Sequence, residues 1–185
     1  NADDMKTLTL LRHAKSGWDD PVARDFDRPL NKRGAVAARL IGQFAAQQGM
    51  TFDHMVCSPA IRCVETLDEF FVGYGTVIEP HWDRRIYLAS STTLLDIIRE
   101  TPDTVESLIL AGHNPGLEDL VLDLVPDDGR SPLRAAVEAK FPTASLAVMT
   151  WDGDWSTLKE GSARLTGFTR PRDLDPALGP EQDEY

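Results

Sequence analysis

The sequence predicts an α/β fold of three layers, in which helices cover both faces of a mostly parallel central sheet and the C-terminal part adds an antiparallel hairpin. Short apolar segments typical of buried strands alternate along the chain with longer segments of helical character. Near the C-terminus, two apolar segments flank Asp152-Gly153-Asp154, which is typical of a turn between antiparallel strands. A chain of 185 residues fits one domain of ordinary size, and we expect a single domain over residues 1–185.

The first strand and the first helix have the clearest signals in the N-terminal half. Lys6 to Leu11 alternates and then becomes apolar, as a buried strand does. Asn31 is a favourable N-cap for an alanine-rich helix that Gly49 ends. Three further elements are predicted there: a strand over 53–57, a helix over 60–70 that opens with Ser58-Pro59, and a strand over 76–79.

Residues 107–111 (Ser-Leu-Ile-Leu-Ala) give the best signal for a buried strand in the whole chain. Helices are predicted over 92–100, 115–124 and 132–140. Two strands, over 145–151 and 156–165, form the predicted hairpin. The segment from about 168 to 185 contains prolines and scattered charges, and we expect it to be a loose tail.

The composition limits the classes of function. Apolar residues make up 42% of the chain and charged residues 26%, which is ordinary for a globular protein. No apolar run is long enough to span a membrane, and no secretion signal is recognisable, so we expect a cytoplasmic protein. A net charge of −11 disfavours binding to nucleic acid and to anionic membranes. Any anion site in such a chain must therefore be local.

Histidines and arginines follow three of the predicted strands, at the point where each strand ends. Arg12 and His13 follow the first strand, Ser58 and Arg62 follow the second, and His113 follows the fourth. Ligands of parallel α/β sheets collect beyond the carboxyl ends of the strands. The sequence therefore predicts one pocket built from three distant segments.

These residue types suit phosphoryl transfer. A neutral histidine is nucleophilic near pH 7 and can form a covalent phosphoenzyme, and His13 is the candidate for this role. The oxygens of the transferred group carry negative charge, which Arg12, Arg62 and a protonated His113 can stabilise. Ser16 and the backbone N–H groups at the start of the second helix are further candidate donors to the phosphate.

Three motifs resemble those of the histidine phosphatase superfamily, which has the phosphoglycerate mutase-like fold. Residues 11–16 (Leu-Arg-His-Ala-Lys-Ser) resemble its Arg-His-Gly/Ala signature, and residues 58–66 resemble its Ser-Pro-x-x-Arg-x-x-x-Thr segment. Residues 112–115 (Gly-His-Asn-Pro) resemble its second-histidine motif. The Ala-Lys-Ser ending of the first motif, together with Asp27-Arg28-Pro29-Leu30, is similar to the small SixA-type phosphohistidine phosphatases. The motifs occur in the family's order over most of the chain.

The resemblance implies a role for each matching residue. His13 is implied to be the nucleophile, and Arg12, Arg62 and His113 are implied to bind the phosphate, with Ser16 as an addition. The resemblance also implies that no metal and no other cofactor is used. The implied partner is a phosphorylated protein, such as a histidine phosphotransfer domain.

A carboxylic acid for the leaving group is missing from the places where the superfamily carries one. Phosphoglycerate mutase-like members have a Glu shortly after a Tyr, but no carboxylate closely follows Tyr87, and Asn114 stands where another branch has an Asp. Ester hydrolysis needs such an acid, whereas phosphohistidine can release a neutral imidazole. The gap therefore favours phosphohistidine as the substrate. Asp19, Asp20 and Asp25 are either stand-in acids or solvated loop charges.

Three other functions are open to such a chain. A small-molecule phosphomonoesterase, acting on sugar or nucleotide phosphates, would need a carboxylate near the leaving-group oxygen. A non-catalytic module that binds a phospholigand would not need His13 beside two arginines and His113. A metallohydrolase would need a ligand pattern such as His-Glu-x-x-His, which the sequence lacks.

Overall fold

The computed structural model describes residues 5–17 and 24–179 of the chain. Within these residues, one sheet contains six strands: β1 (Met5–Arg12), β2 (His54–Cys57), β3 (His81–Trp82), β4 (Ser107–Gly112), β5 (Leu146–Asp152) and β6 (Arg164–Thr169). The strand order is β3-β2-β4-β1-β5-β6. Strands β3, β2, β4 and β1 are parallel, β5 is antiparallel to β1, and β6 is antiparallel to β5. The predicted sheet, mostly parallel with an antiparallel C-terminal pair, is confirmed.

Helices cover both faces of this sheet. They are α1 (Lys32–Gln47), α2 (Ile61–Tyr74), α3 (Ser91–Arg99), α4 (Gly116–Leu124), α5 (Pro132–Ala139) and the short α6 (Pro171–Leu174). Side chains of β1 alternate between the two layers, because Leu8 and Leu10 pack with α3, α4 and α5, whereas Leu11 packs with α1 and α2. The predicted three layers are confirmed. None of the described helices combines the length and the apolar content that crossing a bilayer requires.

The N-terminus of α1 supports the loop that follows β1. Asn31 caps the helix as predicted, since its side-chain oxygen accepts a hydrogen bond from the backbone N–H of Gly34 at 2.8 Å. A Cβ atom on Gly34 would lie 2.1 Å from the carbonyl oxygen of Lys15. Only glycine therefore allows α1 to approach the first motif this closely.

The third strand lies later in the chain than predicted. Residues 76–79 are not a strand, and β3 instead pairs with β2 through His81 opposite Val56 and Trp82 opposite Cys57. Pro80 has no N–H to donate to β2, so pairing begins only after it. The apolar residues before it misled the prediction, since Val77 is exposed rather than buried.

The C-terminal strand pair is joined by a longer connection than the predicted tight turn. Residues 156–165 do not form one strand, and β6 begins at Arg164. The connection instead buries Trp155 and Leu158 in the core, and the indole N–H of Trp155 donates to the carbonyl oxygen of Val105 at 2.7 Å. The apolar residues of this segment are buried from a connection and not from a strand, which is why the predicted strand over 156–165 is wrong.

The predicted loose tail from residue 168 is wrong for residues 168–179. Phe168 pairs with Ala147 in the sheet, and Leu174 and Leu178 pack against the α1–α2 side of the core. The guanidinium of Arg33 donates to the carbonyl oxygen of Ala177 at 2.8 Å. Pro171 and Pro176 start short helical turns, where a missing N–H costs nothing, and do not indicate a loose tail.

Candidate active site

Four of the predicted site residues lie together at the C-terminal edge of the parallel strands. Arg12, His13, Arg62 and His113 are 6%, 4%, 2% and 3% exposed, respectively. The imidazole rings of His13 and His113 have centroids 5.4 Å apart, and Nη2 of Arg62 lies 3.3 Å from Nδ1 of His113. Segments that are distant in the sequence thus form one buried cluster.

His13 is held as a neutral imidazole with a defined tautomer. Its Nδ1 lies 2.8 Å from the carbonyl oxygen of Ala14. Because a carbonyl oxygen can only accept, Nδ1 carries the proton and the lone pair is on Nε2. Burial lowers the pKa of His13 well below 6.5, and the positive charge of Arg12 and the proximity of His113 and Arg62 lower it further. At neutral pH, His13 therefore has the lone pair that a nucleophile needs.

The low pKa of His13 predicts its NMR titration in the phosphate-free protein. Since the shift is downward, we expect the ring to remain neutral as the pH falls to 6.5 and to take up a proton only at lower pH. The measurement is a pH titration of the imidazole ¹⁵N resonances, with His13→Ala providing the assignment. The same spectra should show protonated Nδ1 and unprotonated Nε2. Titration of His13 at or above pH 6.5 would contradict the prediction.

The backbone around His13 is fixed from two sides. The N–H of Ala14 donates to Oγ1 of Thr66 at 2.8 Å, and the hydroxyl of Thr66 donates to the carbonyl oxygen of Arg62 at 2.5 Å. From the segment before β5, the N–H of Ala144 donates to the carbonyl oxygen of His13 at 3.0 Å. One threonine on α2 thus connects the His13 loop to the turn that carries Arg62.

Both arginines of the cluster are oriented by backbone carbonyl groups. Nη1 of Arg12 donates to the carbonyl oxygen of Phe141 at 2.8 Å, and Nη1 of Arg62 donates to the carbonyl oxygen of Asp25 at 2.7 Å. Nε of Arg62 is buried and has no hydrogen-bond partner among the described residues. Buried guanidinium groups are costly unless an anion or hydrogen-bond acceptors compensate them. Two of them beside His13 favour the binding of an anion there.

His113 makes the contacts of a neutral ring. Arg62 can only donate, so Nδ1 of His113 is the acceptor at 3.3 Å, and Nε2 donates to Oγ of Ser58 at 2.7 Å. The additional positive charge expected of His113 stays a prediction. The N-cap position of α2 is taken by Ala60, and the Ser58 hydroxyl orients His113. Cys63, which is fully buried, adds a thiol 3.6 Å from Nε2.

Asp25, one of the three loop aspartates that the sequence offered as stand-in acids, is a member of the site. Its Oδ2 accepts hydrogen bonds from Arg62 at 3.0 Å and from the Tyr87 hydroxyl at 2.5 Å, and its Oδ1 accepts from Arg28 at 3.0 Å. Partial burial raises the pKa of Asp25, but the hydrogen bonds from Tyr87 and Arg28 and the charge of Arg62 outweigh it and lower the pKa to about 2. Asp25 is therefore ionised at neutral pH and has no proton to donate. Asp19 and Asp20 lie outside the described residues.

Ser16 and Arg28 extend this network toward the first motif. Nη1 of Arg28 donates to Oγ of Ser16, and both side chains are buried. Ser16 is thus connected to the Arg62 cluster through Arg28 and Asp25, and its direct contact with phosphate stays a prediction. In the sequence, Tyr87 is notable only as the tyrosine that no carboxylate closely follows, yet its ring packs edge-on against His113 with centroids 5.4 Å apart.

The chain matches known proteins over nearly its whole length. The sequence model of the histidine phosphatase superfamily (branch 1) matches residues 8–86 of this chain. The uncharacterized protein Rv1276c of Mycobacterium tuberculosis is 34% identical over 163 residues, which are 88% of this chain and 100% of that protein. Two solved structures are assigned as phosphohistidine phosphatase SixA. The one from Agrobacterium tumefaciens has 33% identity and a TM-score of 0.75, over 90% of this chain and 98% of its own. The one from Nakamurella multipartitia has 26% identity and a TM-score of 0.79, and the match covers 90% of this chain and 96% of that one.

A buried neutral histidine, set among buried arginines at the strand ends of a three-layer sheet, is the arrangement of an α/β phosphatase. Together with these matches, it shows that the chain belongs to the histidine phosphatase superfamily. Within that superfamily, the chain is of the SixA type.

Proposed function

We propose that this protein is a metal-independent phosphatase that forms a phosphohistidine intermediate at His13 and removes phosphate from phosphohistidine in a protein. The observation that carries the proposal is the state of His13, a buried neutral imidazole with its lone pair on Nε2. Arg12 and Arg62 lie beside it as buried cations whose charge can stabilise an incoming phosphoryl group. Nucleophile and electrostatic stabilisation are thus available in one cluster.

The proposed reaction has two steps. First, Nε2 of His13 attacks phosphorus, the N–P bond of the substrate breaks, and the substrate histidine leaves as neutral imidazole, its other ring nitrogen bearing a proton. Water then attacks the phosphorus of phospho-His13, the N–P bond to His13 breaks, and inorganic phosphate is released with the proton of water passing to phosphate or solvent. Both steps move negative charge on the phosphoryl oxygens toward Arg12 and Arg62.

The protonation state of Asp25 supports phosphohistidine over a phosphate ester. An alkoxide is a poor leaving group and needs a proton, whereas imidazole has a conjugate-acid pKa of about 6.5. Asp25 is the carboxylate that contacts Arg62, and its pKa of about 2 leaves it without a proton near pH 7. The assignment of the two similar SixA structures as phosphohistidine phosphatases agrees with this substrate class.

A comparison of initial rates tests the proposal. We expect a peptide containing phosphohistidine to be hydrolysed at least about tenfold faster than a panel of sugar, nucleotide and aryl phosphates, since only the esters need an acid from the protein. A metal chelator should leave the rate unchanged. Faster hydrolysis of an ester would assign the protein to the small-molecule phosphomonoesterases, and inhibition by the chelator would contradict metal independence.

A further inference from the structure

Five basic side chains lie around one cleft of a strongly acidic protein. The chain has 30 acidic and 19 basic residues, yet five of the ten residues that line this cleft are basic and none is acidic. The five basic residues, which we call the basic surface, are Lys15, Arg33, Lys140, Arg170 and Arg172. They come from four different parts of the chain, so the concentration of charge is a product of the fold and not of a basic run in the sequence.

The basic surface adjoins the phosphate-binding candidates. Lys15 follows His13 by two residues, in the same loop. Lys140 precedes Phe141, whose carbonyl oxygen accepts the hydrogen bond from Arg12 at 2.8 Å. The cleft and the candidate active site therefore share two stretches of backbone.

The sheet places the remaining basic residues at the same edge. Thr169, the last residue of β6, pairs with Leu146 at the start of β5, and Leu146 in turn pairs with Leu11 near the end of β1. The two arginines that follow β6 therefore lie at the edge where β1 delivers its motif. Arg33, in the first turn of α1, belongs to the helix end that supports the same loop.

Part of this charge also holds the fold together. Arg170 donates to both carboxylate oxygens of Asp173, at 3.0 and 2.8 Å, and Arg33 donates to the carbonyl oxygen of Ala177 at 2.8 Å. Lys140 is exposed at the end of α5, and Arg172 is half-buried. These two side chains are suitable for substitution, because neither is in the core.

The cleft is small, with a free volume of about 30 Å³, and five basic side chains line it. Basic side chains around so small a cleft suit contact with carboxylates on the surface of another protein.

We propose that the basic surface binds acidic side chains next to the phosphohistidine of a protein substrate. The inference rests on the proposed function and adds the chemistry of the partner to it. A substrate that places its phosphohistidine at His13 presents the neighbouring residues to the rim of the site, where Lys15 and Lys140 lie. Charges at the rim of an interface act mainly on the rate of association and are sensitive to salt.

Three peptides and one double variant test this proposal. Each peptide has one phosphohistidine, and the three differ only in their flanks, which contain aspartates, asparagines or lysines. We expect the wild type to prefer the aspartate peptide by about tenfold in kcat/KM at low salt, through KM, and to lose the preference at high salt. We expect Lys140→Glu/Arg172→Glu to lose the preference, to favour a peptide with lysine flanks, and to hydrolyse free phosphohistidine at the wild-type rate.

The matched control changes the same number of charges at the opposite edge of the sheet. Arg130 and Arg164 are exposed, and the nearby N–H of Ala163 donates to the carbonyl oxygen of Leu124 at 2.9 Å, at the far end of α4. We expect Arg130→Glu/Arg164→Glu to keep the preference. Equal rates on the aspartate and asparagine peptides in the wild type, or an unchanged preference in the Lys140→Glu/Arg172→Glu variant, would overturn the basic surface alone. Failure of the wild type to hydrolyse any of the phosphohistidine peptides would overturn the proposed function as well.

Discussion

Replacement of His13 with alanine is expected to lower kcat by at least about 10³-fold, because loss of a nucleophile removes the covalent route altogether. The residual rate should come only from binding by the surrounding cations. Rapid-quench kinetics with a radiolabelled phosphohistidine peptide measures the effect and also detects the intermediate. In the wild type, we expect a protein-bound phosphate that is labile to acid and stable to alkali, as a phosphoramidate is. In His13→Ala this species should be absent.

His81→Ala is the matched control for this experiment. His81 is exposed in β3, outside the buried cluster, so its removal should leave both the rate and the trapped intermediate unchanged. Thermal unfolding of both variants establishes that they are folded. Full activity of His13→Ala, or an intermediate that survives the substitution, would assign the nucleophile to another residue.

The cluster around His13 could be predicted because it depends on a rule of topology. In a parallel sheet, residues that directly follow the strands must meet at one edge, so Arg12, His13 and His113 needed only correct strands to be brought together. Arg62 follows from the same rule, since it lies in the first turn of the helix after β2. The prediction did not need the exact ends of any element.

Asp25 and Tyr87 could not be found in this way. Asp25 lies in the short 3-10 turn Asp25–Asp27, and Tyr87 follows another such turn, Arg84–Ile86. Neither turn has a periodic pattern that fixes its position relative to the sheet, so their meeting at Arg62 depends on tertiary packing alone. The available signal was local: an Asp three residues before the Arg28-Pro29-Leu30 segment of the SixA resemblance.

The errors in the predicted fold also arise because tertiary packing decides how a segment is used. Trp155 and Leu158 are apolar because they fill the core from a connection, and the pattern alone cannot distinguish this from a strand. Pro171 and Pro176 contribute to the prediction of a loose tail, whereas they start helical turns that pack on α1. A sequence pattern indicates which side chains are buried. Whether a buried side chain belongs to a strand, a helix or a connection depends on tertiary packing, which the pattern does not contain.

Arg62 contacts both His113 of the predicted cluster and the carboxylate of Asp25. Its removal is expected to cause the second largest loss of activity. Arg62→Ala should lower kcat/KM by about 10²- to 10³-fold, which is typical for the loss of one donor to the transition state. The variant also frees the carboxylate of Asp25 from one of its cations, so a negative charge next to the phosphate becomes less compensated. Arg62→Lys should recover only part of the rate, because it restores the charge but not the fork of donors.

Binding of inorganic phosphate separates this electrostatic role from a merely structural one. Phosphate should raise the Tm of the wild type by mass action, and this rise should be much smaller in Arg62→Ala. Arg39→Ala is the control, since Arg39 is half exposed and paired with Glu69 at 2.6 Å on the surface of α1 and α2. A contradictory result would be an Arg62→Ala variant with a lower Tm but with the wild-type kcat/KM and the full phosphate-induced rise in Tm. Arg62 would then only anchor Asp25, and Arg12 alone would be the phosphate-binding arginine.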